Sequence, residues 1–372
     1  MKAEWIDNNR RIECIYWHEY VSCEDVESES EEYDEVQFCY PKNGSEHLAE
    51  IYPIELIEGE EHIYGGRIYS KSIDLTQSDD AIFSGFSKTR RYKTRRACER
   101  DHLDVEFYYR NIEGNILTDF IQFYNEFANQ KKLCFLNESK IKAFVESKQF
   151  AIAIVKDEQG KNLVMNSYIF SEDDKIVSLY TSASLFRNNE TDKALIGRAN
   201  GFLHFQAMRF FKESGYTKYD LGGFYMGSSD KDKINISAYK SSLGGILDEY
   251  MTGFIIRFDH IRNMLDNIVS LKNFIINKGV IIYGAAVWGK YIIKKLNEIY
   301  GIDPVCIIDN RLSYSNSKFK NKEYLENFDP KNTIIIVTTM RENYERICED
   351  IYTKPWVEKK SVFCIREKIL AL

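Results

Sequence analysis

Several kinds of protein are excluded by what these 372 residues lack. No stretch approaches the ~18 consecutive apolar residues of a membrane-spanning helix, so no integral membrane segment is expected. The start, MKAEWIDNNRR, has no apolar h-region, which predicts no signal peptide and a cytoplasmic chain. Eight cysteines occur without any CxxC spacing, and buried free thiols in a reducing compartment account for them. The only His-Glu pair, His18-Glu19, lacks the second histidine of HExxH, and with six scattered histidines no metal is expected. There is neither a G-x-S-x-G elbow nor a P-loop, which removes the serine-hydrolase and P-loop nucleotidase classes.

Charge is present but unevenly placed. The net value of −7 argues against general nucleic-acid binding. Residues 24–35, EDVESESEEYDE, hold eight acids and no base, and read as a solvated loop. Residues 88–100, KTRRYKTRRACER, hold seven bases and one acid. On a helix, Lys88, Arg91 and Arg95 fall on one stripe at i, i+3, i+7. Such a stripe suits a pyrophosphate, an RNA backbone or an anionic lipid-linked sugar, or else is a solvated face paired with the acidic run.

The C-terminal part alternates strand and helix. GVIIYG, DPVCIIDN, TIIIVTTM and SVFCIR are apolar runs separated by helical stretches, so residues 277–372 read as a small Rossmann-like α/β domain with a parallel sheet. Residues 259–276 form a linker helix. Upstream, residues 1–258 read as an α+β body, clearest over 130–256. There QFAIAIVKDEQGKNLVMNSYIF is a hairpin turning at Glu158-Gln159-Gly160, KIVSLYTSASLF a strand, and DKALIGRANGFLHFQAMRFFKESG a helix closed by Gly215. YTKYDLGGF follows as a strand. Residues 84–101 and 116–131 read as helices.

Two glycine pairs, Gly222-Gly223 and Gly244-Gly245, bracket a polar loop, and Lys240 stands four residues before the second pair. Interior glycine costs a strand roughly 0.5–1 kcal/mol relative to alanine, so something is expected to approach the backbone closely here.

The run of a basic helix, a hairpin, LYTSAS, a long helix ending KESGY, then YDLGG and YKSSLGG, resembles the Fem-type branch of the GNAT acyltransferase fold over about residues 80–256. Members often show a YD-x-G-G strand followed by an F/Y-K-x-x-F/L-G-G segment, matched here by Tyr219–Gly223 and Tyr239–Gly245. The resemblance implies an α+β GNAT-like body, single or as tandem GNAT-like halves. It also implies acyl or aminoacyl transfer to an amine on a sugar or peptide precursor of the cell envelope or surface glycans. The donor it implies is an acyl-CoA, an acyl carrier or an aminoacyl-tRNA. The usual pyrophosphate loop, Q/R-x-x-G-x-G/A, is not reproduced by ALIGRANGF, although Arg198 is placed to contact a phosphate.

Within that frame substrate would lie along splayed strands lined by Gly222, Gly223, Gly244 and Gly245, with Lys240 polarising the carbonyl. Asp220 either orients or deprotonates the amine, or shapes the turn through backbone amides. Tyr180 and Tyr239 either donate to the acyl oxygen or fill the core wall. Arg91, Arg95 and Arg198 would bind the anionic substrate. In the C-terminal part, Gly284 to Gly289 read G-A-A-V-W-G. Ala286 replaces the middle glycine of G-x-G-x-x-G, and Asp309 ends the next strand where a ribose hydroxyl binds. A nucleotide or nucleotide-sugar at Gly284, Ala286, Gly289 and Asp309 stands beside a purely structural role. The alternative for the whole chain is a non-catalytic nucleotide or nucleotide-sugar binding protein with a degenerate GNAT-like body.

Overall fold

The computed structural model describes residues 1–42, 48, 50–57, 67–187, 192–309, 318–327, 329, 331–338, 344–354, 357 and 361–364. The chain opens with β1 (Lys2–Asp7), β2 (Arg10–Tyr16), α1 (Cys23–Ser30), β3 (Glu35–Cys39) and β4 (Glu55–Leu56). Then come β5 (Arg67–Asp74), α2 (Asp79–Ser84), α3 (Lys88–Arg100), β6 (Asp104–Tyr109), α4 (Gly114–Lys131) and α5 (Glu138–Glu146). The middle holds β7 (Phe150–Lys156), β8 (Asn162–Ser171), β9 (Ile176–Ser184), α6 (Lys193–Glu213), β10 (Lys218–Gly223), α7 (Lys231–Ser242) and β11 (Ile246–Met251). The chain continues through β12 (Phe254–Arg257), α8 (Phe258–Ser270), α9 (Lys272–Ile275), β13 (Gly279–Tyr283) and α10 (Val287–Tyr300). The remaining elements are β14 (Cys306–Ile308), β15 (Phe319–Lys320), β16 (Thr333–Val337), α11 (Tyr344–Tyr352) and β17 (Val362–Cys364).

Two compact units result. The first comprises Met1–Val21, Gln37–Asn43 and Ile57–Gly253. Its centre is a seven-stranded mixed sheet in the order β11-β5-β10-β9-β8-β7-β6. Strand β7 is buried on both faces, as its apolar run FAIAIV requires. Ala151, Ala153 and Val155 face one core with α6, while Phe150, Ile152 and Ile154 face another with α4 and α5. Helix α6 places Ile196, Ala199, Leu203 and Ala207 in the first core at helical spacing. Asp192 caps its start by accepting from the Ala194 amide, and Gly215 turns the chain away at φ +91°. The hairpin at Glu158-Gln159-Gly160 closes with Asp157 N–H donating to Lys161 O at 3.1 Å.

The second unit gathers Ser22–Val36, Gly44–Leu56 and Phe254–Leu372. It holds a fully parallel sheet in the order β15-β14-β13-β16-β17, whose core is Ile281, Tyr283, Ile308, Ile335 and Val337. Arg257 bridges Glu35 (3.0 Å) and Glu55 within this unit. Among the described residues no helix is long and apolar enough to cross a membrane, and no group of three His, Cys, Asp or Glu could hold a metal.

Three local expectations change. The acidic run is not a loop: Ser22 and Asp25 form a reciprocal capping box that starts α1, and Glu24 and Asp25 complement the helix dipole. The polar stretch between the glycine pairs contains α7, started by Asp230, whose carboxylate accepts from the Asp232 and Lys233 amides. The thiols are not all buried, since Cys98 and Cys134 are exposed. The expected strand and helix ends at 310, 339–343 and 365–366 lie outside the described residues.

Candidate active site

The site begins with a fork between two parallel strands. β10 pairs with β9 only at Lys218–Ile176, Tyr219–Val177 and Asp220–Ser178, and no pairing continues past Asp220 although β9 runs to Ser184. A bulge falls in β9 at the same level. Ser167 opposes Thr181 and Tyr168 opposes Leu179, leaving Tyr180 as the extra residue. Gly222 lies just past the fork at φ +71°, and a Cβ there would sit 3.2 Å from Leu179 O and 3.7 Å from Lys240 Nζ.

Lys240 comes from the last turn of α7. Its ammonium donates to Gly223 O at 2.6 Å. Burial pulls its pKa down to about 8, against the opposing pull of the Asp220 carboxylate. Asp220 is 2% exposed. Gly222 N–H donates to its Oδ1 (2.7 Å) and Ser70 Oγ to its Oδ2 (3.2 Å). Burial pushes its carboxyl up to about 6, although the Gly222 hydrogen bond and nearby lysines pull the other way. Of the two readings of Asp220, its contacts favour the turn-shaping one. The site therefore unites Asp220, Gly222, Gly223 and Lys240: a cation and an anion, both titrating near neutrality, at a gap in the sheet.

Tyr239 stands beside them. Its ring lies 4.4 Å from the Arg90 guanidinium carbon and 5.9 Å from the His204 ring, and its buried hydroxyl has no hydrogen-bond partner among the described residues. Tyr180 is not brought to this group. It packs in the other core against Phe144 (5.5 Å) and Phe150 (6.4 Å). The second glycine pair is approached by the protein itself. A Cβ on Gly244 would meet Gly85 O at 2.7 Å, and one on Gly245 would meet Ser72 O at 2.2 Å.

The predicted anion-binding arginines are dispersed. Arg91 donates to the carbonyls of Ser84 (2.6 Å) and Phe86 (2.5 Å), and the exposed Arg95 lies over the Phe83 ring. Arg198 is bound by Asp101, through Nε at 2.5 Å and a second nitrogen at 3.1 Å, so its guanidinium is not presented to a phosphate.

Sequence reasoning missed His204 and read Arg90 only as one of the residues that broaden the basic patch. Arg90 is the buried base of α3 and donates to Ser242 Oγ (3.1 Å) and Gly197 O (3.2 Å). Gly201 makes room for it, since a Cβ there would come 2.6 Å from an Arg90 nitrogen. The Gly197-x-x-x-Gly201 spacing within a helix was the available signal. His204 Nδ1–H donates to Tyr219 Oη (2.8 Å), and Tyr219 Oη donates on to Tyr168 Oη (3.3 Å). Burial, with Arg90 and Lys240 adding to it, lowers His204 to about 3, so it is neutral.

In the second unit, Gly284 has φ +104°. Gly289 is obligatory, because a Cβ there would meet Gly284 O at 2.0 Å. Asp309 accepts from the Ala285 amide at 3.0 Å, and Ala286 is the exposed N-cap of α10. Trp288 is buried, its indole N–H donating to Glu55 at 2.7 Å.

No family model matches the sequence, and no curated protein matches it. Solved structures do align with it. The chain is similar to FemX at 15% identity and a TM-score of 0.47, over 65% of this chain and 76% of that one. It is similar to L-PGS from Bacillus licheniformis at 15% identity and 0.40, over 63% and 71%. It is also similar to a tandem GNAT protein from the clavulanic acid biosynthesis pathway at 7% identity and 0.33, over 63% and 67%.

Proposed function

We propose that this chain is a cytoplasmic N-acyltransferase with a GNAT-like body of Fem type. It moves an acyl or aminoacyl group to an amine of a sugar or peptide precursor of the cell envelope or surface glycans. The observation that carries this reading is the fork between β9 and β10 with Lys240 held across it. An activated carbonyl lying in the gap would meet an ammonium where negative charge develops as the amine nitrogen attacks. The new C–N bond forms, the donor's C–S or C–O bond breaks, and the amine proton leaves to solvent. Asp220 acts as a positioning residue: it holds the Gly222 turn and keeps Lys240 protonated. Tyr239, with its free hydroxyl, is the candidate to orient the donor.

The exposed basic residues of α3 favour a polyanionic donor such as aminoacyl-tRNA over acyl-CoA or an acyl carrier, because Arg198 is neutralised by Asp101. The second unit is proposed as Rossmann-like, its first strand central with later strands added on both sides. The ligand proposed for it is a nucleotide or nucleotide-sugar at Gly284, Ala286, Gly289 and Asp309. A thermal-shift panel of aminoacyl-tRNA, acyl-CoA, a nucleotide-sugar and NAD tests this reading through stabilisation by RT ln(1 + [L]/Kd). Stabilisation by an acyl donor is expected. Stabilisation by NAD alone would replace the transferase reading with a redox one.

A further inference from the structure

Away from the fork, the second core of the first unit holds a polar cluster that acyl transfer does not use. Cys14 on β2 and Cys39 at the end of β3 bring their sulfurs to 3.3 Å, and both are buried, at 0% and 5% exposure. Lys140 of α5 faces them. Its ammonium donates to Gln37 Oε1 at 3.1 Å and lies 5.3 Å from the Trp5 ring and 5.8 Å from the Tyr16 ring.

The titratable groups around the pair are Lys140, Tyr16, Tyr40 and Tyr180. Burial pushes the Cys14 thiol up. The hydrogen bond with Cys39 and the charge of Lys140 outweigh it and bring it down to about 7. Burial pulls Lys140 down, but the two sulfurs and Tyr180 hold it protonated. Tyr16 and Tyr180 stay neutral: burial, then the nearby sulfurs, raises Tyr16, and burial raises Tyr180. Half-buried Lys140 and Tyr40 link the cluster to solvent. A thiolate beside a fixed cation, in contact with a second thiol, is an attacking and a resolving sulfur already in place.

We propose that Cys14 and Cys39, activated by Lys140, are a redox-active pair that a hydroperoxide converts to a disulfide. The Cys14 thiolate attacks the peroxide O–O bond, giving a sulfenic acid and, with hydrogen peroxide, one water. The Cys39 thiol then attacks that sulfur, the S–S bond forms and a second water leaves. Two thiols are oxidised and one peroxide is reduced. An external dithiol reverses the step. The bond links β2 to β3 at positions 25 apart in sequence.

The test uses the full chain carrying Cys98→Ser and Cys134→Ser, which removes the thiols exposed among the described residues. It is treated with hydrogen peroxide and digested without reductant for mass spectrometry. The expected product joins the Cys14 and Cys39 peptides, is lighter by two hydrogens, and separates with dithiothreitol. Cys39→Ser should leave Cys14 as a sulfenic acid that dimedone traps. Lys140→Met should slow oxidation about 10-fold at pH 7 as the thiol returns towards its ordinary pKa, and Lys140→Arg should restore it. Peroxide that consumes Cys98 and Cys134 of the unmodified chain while Cys14 and Cys39 stay reduced overturns the proposal. So does a Lys140→Met chain that forms the disulfide as fast as its parent.

Discussion

At the scale of residues, the account rests on one lysine and one aspartate whose pKa values burial pushes towards each other. Lys240→Met should lower amide formation by roughly 10²–10³-fold, the usual loss for one group that stabilises a developing oxyanion, while leaving thermal unfolding nearly unchanged. If Asp220 must be ionised and Lys240 protonated, kcat/KM rises with pH through about 6 and falls through about 8. Asp220→Asn removes the acid limb. It also removes the anion that holds Lys240 up, so the alkaline limb moves to lower pH. An aspartate that only shaped the turn would leave that limb in place.

The same substitution has a stability signature. A carboxyl raised from 3.8 to about 6 on folding destabilises the fold as pH rises through that interval, so Asp220→Asn should gain on the parent there and hold its advantage above it. Unfolding curves at several pH values check this. Lys240 and Asp220 were legible because each lies within four residues of a glycine pair in sequence. Arg90 and His204 were not, because each lies inside a helix and is linked to the site only through pairings such as Arg90 with Ser242, 152 positions away.

At the scale of elements, the glycine pairs divide. Gly222 opens the fork, whereas Gly244 and Gly245 let backbone touch backbone. Gly245→Ala, at φ +81° and facing Ser72 O, should destabilise the first unit by on the order of 2 kcal/mol or more, read as a lowered Tm. The basic helix splits in a similar way. Its inward stripe of Arg90, Thr94 and Ala97 is buried, and its outward face exposes Lys88, Lys93, Arg95 and Arg100. Reversing charge at Arg91 and Arg95 together should weaken aminoacyl-tRNA binding and flatten its dependence on salt, measured by fluorescence anisotropy. An unchanged salt slope would make that face a solvated one.

Element type was legible where periodicity was strong, as in α6 and the β7–β8 hairpin. It failed at α1 and α7. Both are short polar helices announced by their caps, Ser22 with Asp25 and Asp230, and not by an apolar stripe.

At the scale of the whole molecule, alternating strands and helices revealed the parallel sheet, but no linear reading could show that Ser22–Val36 and Gly44–Leu56 fold with it. Those joins are made by Arg257 with Glu35 and Glu55, and by Trp288 with Glu55. The transferase reading itself depends on the fork. Its most direct measurement is single-turnover formation of an amide from aminoacyl-tRNA or acyl-CoA and an amino-sugar or peptide amine, followed by mass spectrometry in the parent chain and in Lys240→Met. The account predicts product from the parent and its near loss in the variant, with both chains unfolding at the same temperature. Equal product from the two chains would contradict it.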